Sequence, residues 1–127
     1  MHLALDTNRY TDLQRGDATV LHTLQHAANI YLPLIVLGEL RAGFLGGNRA
    51  STNEQLLFNF LARLGVQVLS LDDGTTHHYA VLLNQLRQQA TPIPTNDLWI
   101  AALVVQHGLT LYSRDAHFDR LPQISRL

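Results

Sequence analysis

Cysteine and lysine are both missing from this 127-residue chain. Without cysteine there is no disulfide framework, no thiolate nucleophile and no cysteine-ligated zinc. Without lysine there is no Walker A contact to nucleotide phosphates and no Schiff-base chemistry. All nine basic residues are arginine, whose planar fork suits bidentate recognition of phosphate. Long apolar runs are missing too, so no membrane span is predicted. No basic segment followed by an apolar run opens the chain, and the expectation is a cytoplasmic protein without a signal peptide. The net charge of −1 supplies no global basic field for nucleic acid.

What is present is enough apolar material for one core, 46% of the residues, and the expectation is a single domain over residues 1–127. His2-Leu3-Ala4-Leu5 predicts a buried strand ending at Asp6. Helical spacing of Val20, Leu21, Leu24, Ala27 and Ala28 predicts a helix from about Asp17 to Ala28. Ile30 to Leu32 predicts a second strand, stopped by Pro33, and Leu34 to Leu45 a helix stopped by Gly46-Gly47. Ser51 to Leu64 predicts an amphipathic helix with Gly65 as its C-terminal cap. Val66 to Leu71 predicts a third strand. Asp72 or Asp73 is placed to cap a helix reaching about Ala90, and Thr95 or Asn96 a helix ending near Gly108. Leu109 to Tyr112 predicts a fourth strand, Asp115 to Phe118 a short turn or helix, and the tail a fifth strand around Ile124. Strands alternating with helices predict an α/β fold with a mainly parallel sheet. In such sheets ligands bind beyond the carboxyl ends of strands, where Asp6 and Asp115 both fall.

Two further acids interrupt apolar faces. One helical turn from Glu39 lie Ile35, Val36, Ala42 and Gly43; one turn from Asp97 lie Ile100 and Ala101, with Val104 beyond. An ionised carboxylate is costly to bury there alone, and several sharing one site repel. Each acid has an ordinary alternative: Asp6 and Asp115 as helix caps, Asp97 as a first-turn acid, Glu39 paired with Arg41. A single divalent ion accounts for all four together, and all-oxygen ligation suits Mg2+ or Mn2+.

The same residues resemble the PIN-domain nucleases, in particular the VapC-type toxins. Leu5-Asp6-Thr7-Asn8 is similar to the opening motif. Leu32-Pro33 with Gly38-Glu39-Leu40-Arg41-Ala42-Gly43 is similar to the second. Pro94-Thr95-Asn96-Asp97-Leu98-Trp99-Ile100-Ala101-Ala102 is similar to the third, and Ser113-Arg114-Asp115-Ala116-His117-Phe118 to the fourth. The resemblance covers nearly the whole chain. It implies a PIN-like fold, a mainly parallel five-stranded sheet flanked by helices. It implies a Mg2+- or Mn2+-dependent endoribonuclease with Asp6, Glu39, Asp97 and Asp115 as catalytic, metal-holding acids, leaving 5′-phosphate and 3′-hydroxyl ends. Thr7, Asn8, Asn96 and Ser113 fall beside the acids as supporting groups; Ser113 stands where threonine is more usual. The resemblance also implies a homodimer and a VapB-type antitoxin partner.

Arg9, Arg41 and Arg114 follow the acidic motifs and are candidate RNA contacts, although an exposed arginine covering apolar surface is the ordinary role of such residues. Histidine is not needed when water rather than the ribose 2′-hydroxyl attacks; His77 and His78 point apart on one helix, and His117 is nearest the acids in sequence. Trp99 is expected in a core or interface rather than under a base. A signalling receiver domain also carries an acidic Mg2+ pocket, but resembles a scheme requiring lysine, which is absent. A PIN-like module that binds RNA without cutting it, and a PIN nuclease of RNA maturation with no antitoxin, remain alternatives.

Overall fold

A computed structural model describes all residues, 1–127. Strand β1 (His2–Leu5) is followed by helices α1 (Thr7–Gln14) and α2 (Ala18–Gln25). Strand β2 (Asn29–Pro33) leads into α3 (Leu34–Leu45) and α4 (Ala50–Leu61), then β3 (Val66–Leu69). Helices α5 (Asp73–Gln89) and α6 (Thr95–His107) precede β4 (Thr110–Tyr112) and a 3₁₀ turn, Ala116–Arg120. The sheet order is β3-β2-β1-β4, and every pairing is parallel. No helix is long and apolar enough to cross a membrane.

This order positions the site. The chain builds outward from β1 through β2 to β3, then returns by α5 and α6 to the opposite side of β1, where β4 pairs. Strand order therefore reverses between β1 and β4, and a crevice opens beyond their carboxyl ends. Asp6 is the residue after β1, and Ser113, Arg114 and Asp115 follow β4.

Leu3, Ala4, Leu5, Leu32 and Leu111 are fully buried, consistent with a sheet covered on both faces. Helix α6 is buried from Asp97 to Val104 except at Trp99, which is half-buried. A helix apolar on all sides belongs inside, and α6 packs against α5, where Trp99 stacks on Tyr79 with ring centroids 4.0 Å apart. The far ends of these helices are tied by Asp72, which caps α5 in a capping box with Thr75 and accepts a 2.8 Å bond from Gln106 of α6.

Three sequence expectations change, and one element is added. The sheet has four strands, not five: the tail contributes only one bridge, Leu111 to Arg126, Pro122 having no N–H to give a ladder and a turn following it. Helix α4 stops at Leu61, and Gly65, at φ +82°, turns the chain into β3 instead of capping the helix. Neither Thr95 nor Asn96 caps α6; Pro94 holds the N-cap position, and its ring presets the extended backbone there. Helix α1 is an element that polar Thr7–Gln14 signals poorly, since only Tyr10 is buried.

Candidate metal centre

Asp6 combines two roles. Its Oδ1 accepts the Thr7 backbone N–H at 2.8 Å and so caps α1. Its Oδ2 accepts the Ser113 hydroxyl at 2.6 Å and the Asn8 amide at 3.3 Å. The residue is 4% exposed. Burial pushes its pKa up; the Ser113 and Thr7 bonds oppose this, while the negative charges of Glu39 and Asp115 add to it.

Glu39 reaches the same crevice from the middle of α3. It is half-buried, and its Oε1 accepts the Thr7 hydroxyl at 2.8 Å. Asp97 enters from the first turn of α6 and is 8% exposed. Burial first, and then the charges of Asp115 and Asp6, raise its pKa to about 6 against a bond from His117 that lowers it. Asp115 caps the 3₁₀ turn, accepting the His117 backbone N–H at 2.9 Å, and donates its own N–H to Ser113 Oγ at 3.1 Å. Ligand atoms of Asp97, Asp115 and His117 all lie within 4.8 Å of one another.

Asp6 thus feels the charges of Glu39 and Asp115, and Asp97 those of Asp115 and Asp6, although the four come from separate elements. No arginine bonds any of these four carboxylates. Arg41 pairs with Glu54 at 2.9 Å, so the pairing with Glu39 considered from sequence does not form. Arg9 and Arg114 converge on Asp12, Arg114 with two bonds of 3.0 Å, and they hold that carboxyl below its usual range. Arg9 also lies over the Tyr112 ring, 4.7 Å from its centroid. The three arginines proposed for RNA each have an acidic partner already. Buried negative charge without a compensating cation is the condition a divalent ion relieves.

The supporting residues divide. Thr7, Asn8 and Ser113 hydrogen-bond the acids directly. Asn96 is exposed and its side chain bonds none of them. Two neighbours join the site: His117, singled out in sequence only as the histidine nearest the acids, and Arg126, which the sequence reading missed. His117 Nδ1 lies 2.9 Å from Asp97 Oδ2 and 3.0 Å from Asp115 Oδ1; its place two residues after Asp115 was the signal. Arg126 donates to the carbonyls of Ser113 and Asp115, at 3.0 and 2.9 Å, and clamps the loop after β4. Nothing local in the tail marks it.

Ser113 organises the cluster: one hydroxyl bonds Asp6, Asn8 and the Asp115 backbone. Ser113→Ala removes the strongest bond opposing the burial of the Asp6 charge. Divalent-ion affinity is expected to fall about 10–100-fold in calorimetric titration, the range for residues that orient ligands. Ser113→Thr, which keeps the hydroxyl, is expected to restore most of it.

Comparison with known proteins agrees with this geometry. Residues 3–124 match the PIN domain family. The chain is 35% identical over 121 residues to the plasmid stability protein StbB of Pseudomonas syringae pv. tomato, covering 89% of this chain and 87% of that protein. It is 29% identical over 91 residues to ribonuclease VapC4 of Mycobacterium tuberculosis, covering 72% and 70%. It superposes on a chain of the VapBC2 complex of Rickettsia felis, bound there to promoter DNA, with a TM-score of 0.90, 25% identity and coverage of 100% and 98%. PIN nucleases are metal-dependent, and the acidic cluster such chemistry requires is present. The chain belongs to the PIN domain family.

Proposed function

We propose that this protein is an endoribonuclease dependent on Mg2+ or Mn2+, the toxin of a type II toxin–antitoxin pair. The observation that carries the reading is the convergence of Asp6, Glu39, Asp97 and Asp115 on one crevice, where burial and the charges of their fellow acids raise the pKa of Asp6 and Asp97 and no arginine pairs with any of the four. These residues hold the ion. When bound, the ion lowers the pKa of an attacking water and offsets charge developing on the phosphoryl group.

The chain's own groups set the geometry. Asp6 is fixed by Thr7, Asn8 and Ser113, so one of its oxygens cannot swing away as charge builds. Glu39 uses Oε1 for Thr7 and leaves Oε2 without a protein partner, available to the ion or to water. Attack by water in line with the leaving ribose oxygen yields 5′-phosphate and 3′-hydroxyl ends. Arg114 and Arg41 are half-exposed and exchange their carboxylate partners for RNA phosphates.

The antitoxin is of the VapB type. Relatives named as ribonucleases and a neighbour solved as a VapBC complex support that partner. A groove of about 240 Å3 between α1, α3 and α4, lined by Tyr10, Leu40, Phe44 and Leu56 and by as many polar residues, Arg15 among them, offers it a mixed apolar and polar seat. The toxin acts as a homodimer in the cytoplasm. Purified protein is expected to cleave labelled RNA in Mg2+, to stop in EDTA, to resume on adding excess Mg2+, and to be silenced by its co-expressed antitoxin. Cleavage unaffected by EDTA would sink the reading.

A further inference from the structure

We propose that His117 is a nitrogen ligand of this centre, and that it shifts ion preference from Mg2+ toward first-row transition ions such as Mn2+ and Co2+. The inference rests on the metal reading above and gives a role as ligand to a residue of the fourth motif that is not one of its acids.

The geometry is specific. His117 is the second residue of the 3₁₀ turn, and its backbone N–H bonds Asp115 Oδ1, so the turn itself fixes where the ring starts. Phe118 beside it is fully buried and anchors the turn. Nδ1 then falls 2.9 Å from Asp97 Oδ2 and 3.0 Å from Asp115 Oδ1. Neighbouring ligand atoms in an octahedron with bonds of about 2.1 Å stand about 3.0 Å apart. Nδ1 thus stands at coordination-shell spacing from both oxygens, and all three ligand atoms lie within 4.8 Å of one another.

Hydrogen bonding alone leaves this arrangement incomplete. Nδ1 carries at most one proton, and two carboxylates face it. An ion in place of that proton meets the nitrogen and both oxygens together. The side chain is 41% exposed, and Nε2 makes no protein hydrogen bond, so only Nδ1 holds the ring to the acids. No other histidine lies within this group of ligand atoms. Carboxylate oxygens alone suit hard Mg2+; imidazole adds a softer donor, from which ions later in the Irving–Williams order gain more.

The test uses the whole protein loaded with Mn2+ and read by electron spin-echo modulation. A directly bound 14N coupling is expected in the parent and lost in His117→Ala. Calorimetry should show Co2+ binding weakened about tenfold or more in the variant, and Mg2+ by less than about threefold. His117→Gln, which keeps size and a hydrogen-bonding tip, is expected to match alanine in losing the nitrogen signal, and serves if alanine unfolds the turn. Mn2+ bound by the parent without a nitrogen coupling overturns the ligand, as does equal loss of Co2+ and Mg2+, which marks His117 as only positioning the acids. Asp97→Asn separates the two levels. If it binds every ion as the parent does, the metal reading itself has failed.

Discussion

Asp97→Asn is expected to lower RNA cleavage by at least about 10³-fold while making the metal-free protein more stable at neutral pH. The two effects share one cause. Asp97 is 8% exposed on a helix whose other residues through Val104 are apolar or small. Its ionised form is penalised by burial and by the charges of Asp115 and Asp6. That same charge is what an ion needs from the α6 side of the crevice. Asparagine keeps the shape and an oxygen to accept from His117, so packing survives. The electrostatic contribution is lost, and losses of one such group cost on the order of 10²–10³ in rate even where others remain. A ligand that also holds the ion belongs at or beyond the upper end. Product formation from labelled RNA gives the rate, and thermal melting in EDTA gives stability. Retained cleavage, or a metal-free variant less stable than the parent, would contradict the assignment. Gain of stability on losing a functional group is the usual trade at a strained site.

Much of this centre was legible because its chemistry conflicts with its surroundings. Glu39 and Asp97 stand out in sequence as charges on apolar helical faces, and both prove half-buried or buried. Helix α3 runs from Leu34 to Leu45 as read, since Pro33 and Gly46 punctuate it from both sides. The two acids after strands fall at the reversal of strand order because alternation of strand and helix sets the sheet edge. What escaped depends on distant partners. The pairing of Arg9 and Arg114 with Asp12 joins α1 to the loop after β4, and no local pattern in the sequence marks Asp12 as their shared acid. The clamp of Arg126 on Ser113 and Asp115 forms only because the tail lies beside β4. The tail's failure to make a full strand has the same origin: hydrogen bonds to Leu111 are satisfied by two residues, and the chain then ends its pairing.

The pH dependence of stability is expected to change sign when the ion is added. Asp97 has a folded pKa of about 6 against an ordinary 3.8, and Asp6 is raised as well. A raised acid favours the folded state while protonated. Its contribution is complete below about pH 4 and is lost as pH climbs through the folded value. Metal-free protein should therefore lose stability between about pH 4 and about pH 7, most of it before pH 6 is passed. For Asp97 a shift of this size corresponds to at most about 3 kcal/mol, and to less where solvent reaches its open edge. Asp12 and Asp72 are lowered, Asp12 chiefly by Arg114 and Asp72 by Gln106. Their stabilisation is present above 3.8 and fails only as pH falls through their still lower folded values, outside this window. A divalent ion binds the deprotonated acids alone, and at a hundredfold excess over its dissociation constant adds about 2.7 kcal/mol. That gain appears near pH 8 and fades near pH 5, where protons compete. Melting temperatures with EDTA should fall as pH rises, and with saturating Mg2+ should rise or stay level. Asp97→Asn should flatten both curves. An ion that stabilises equally at both pH values, or a metal-free protein strengthening through pH 6, would mean that these carboxylates are neither strained nor metal-holding.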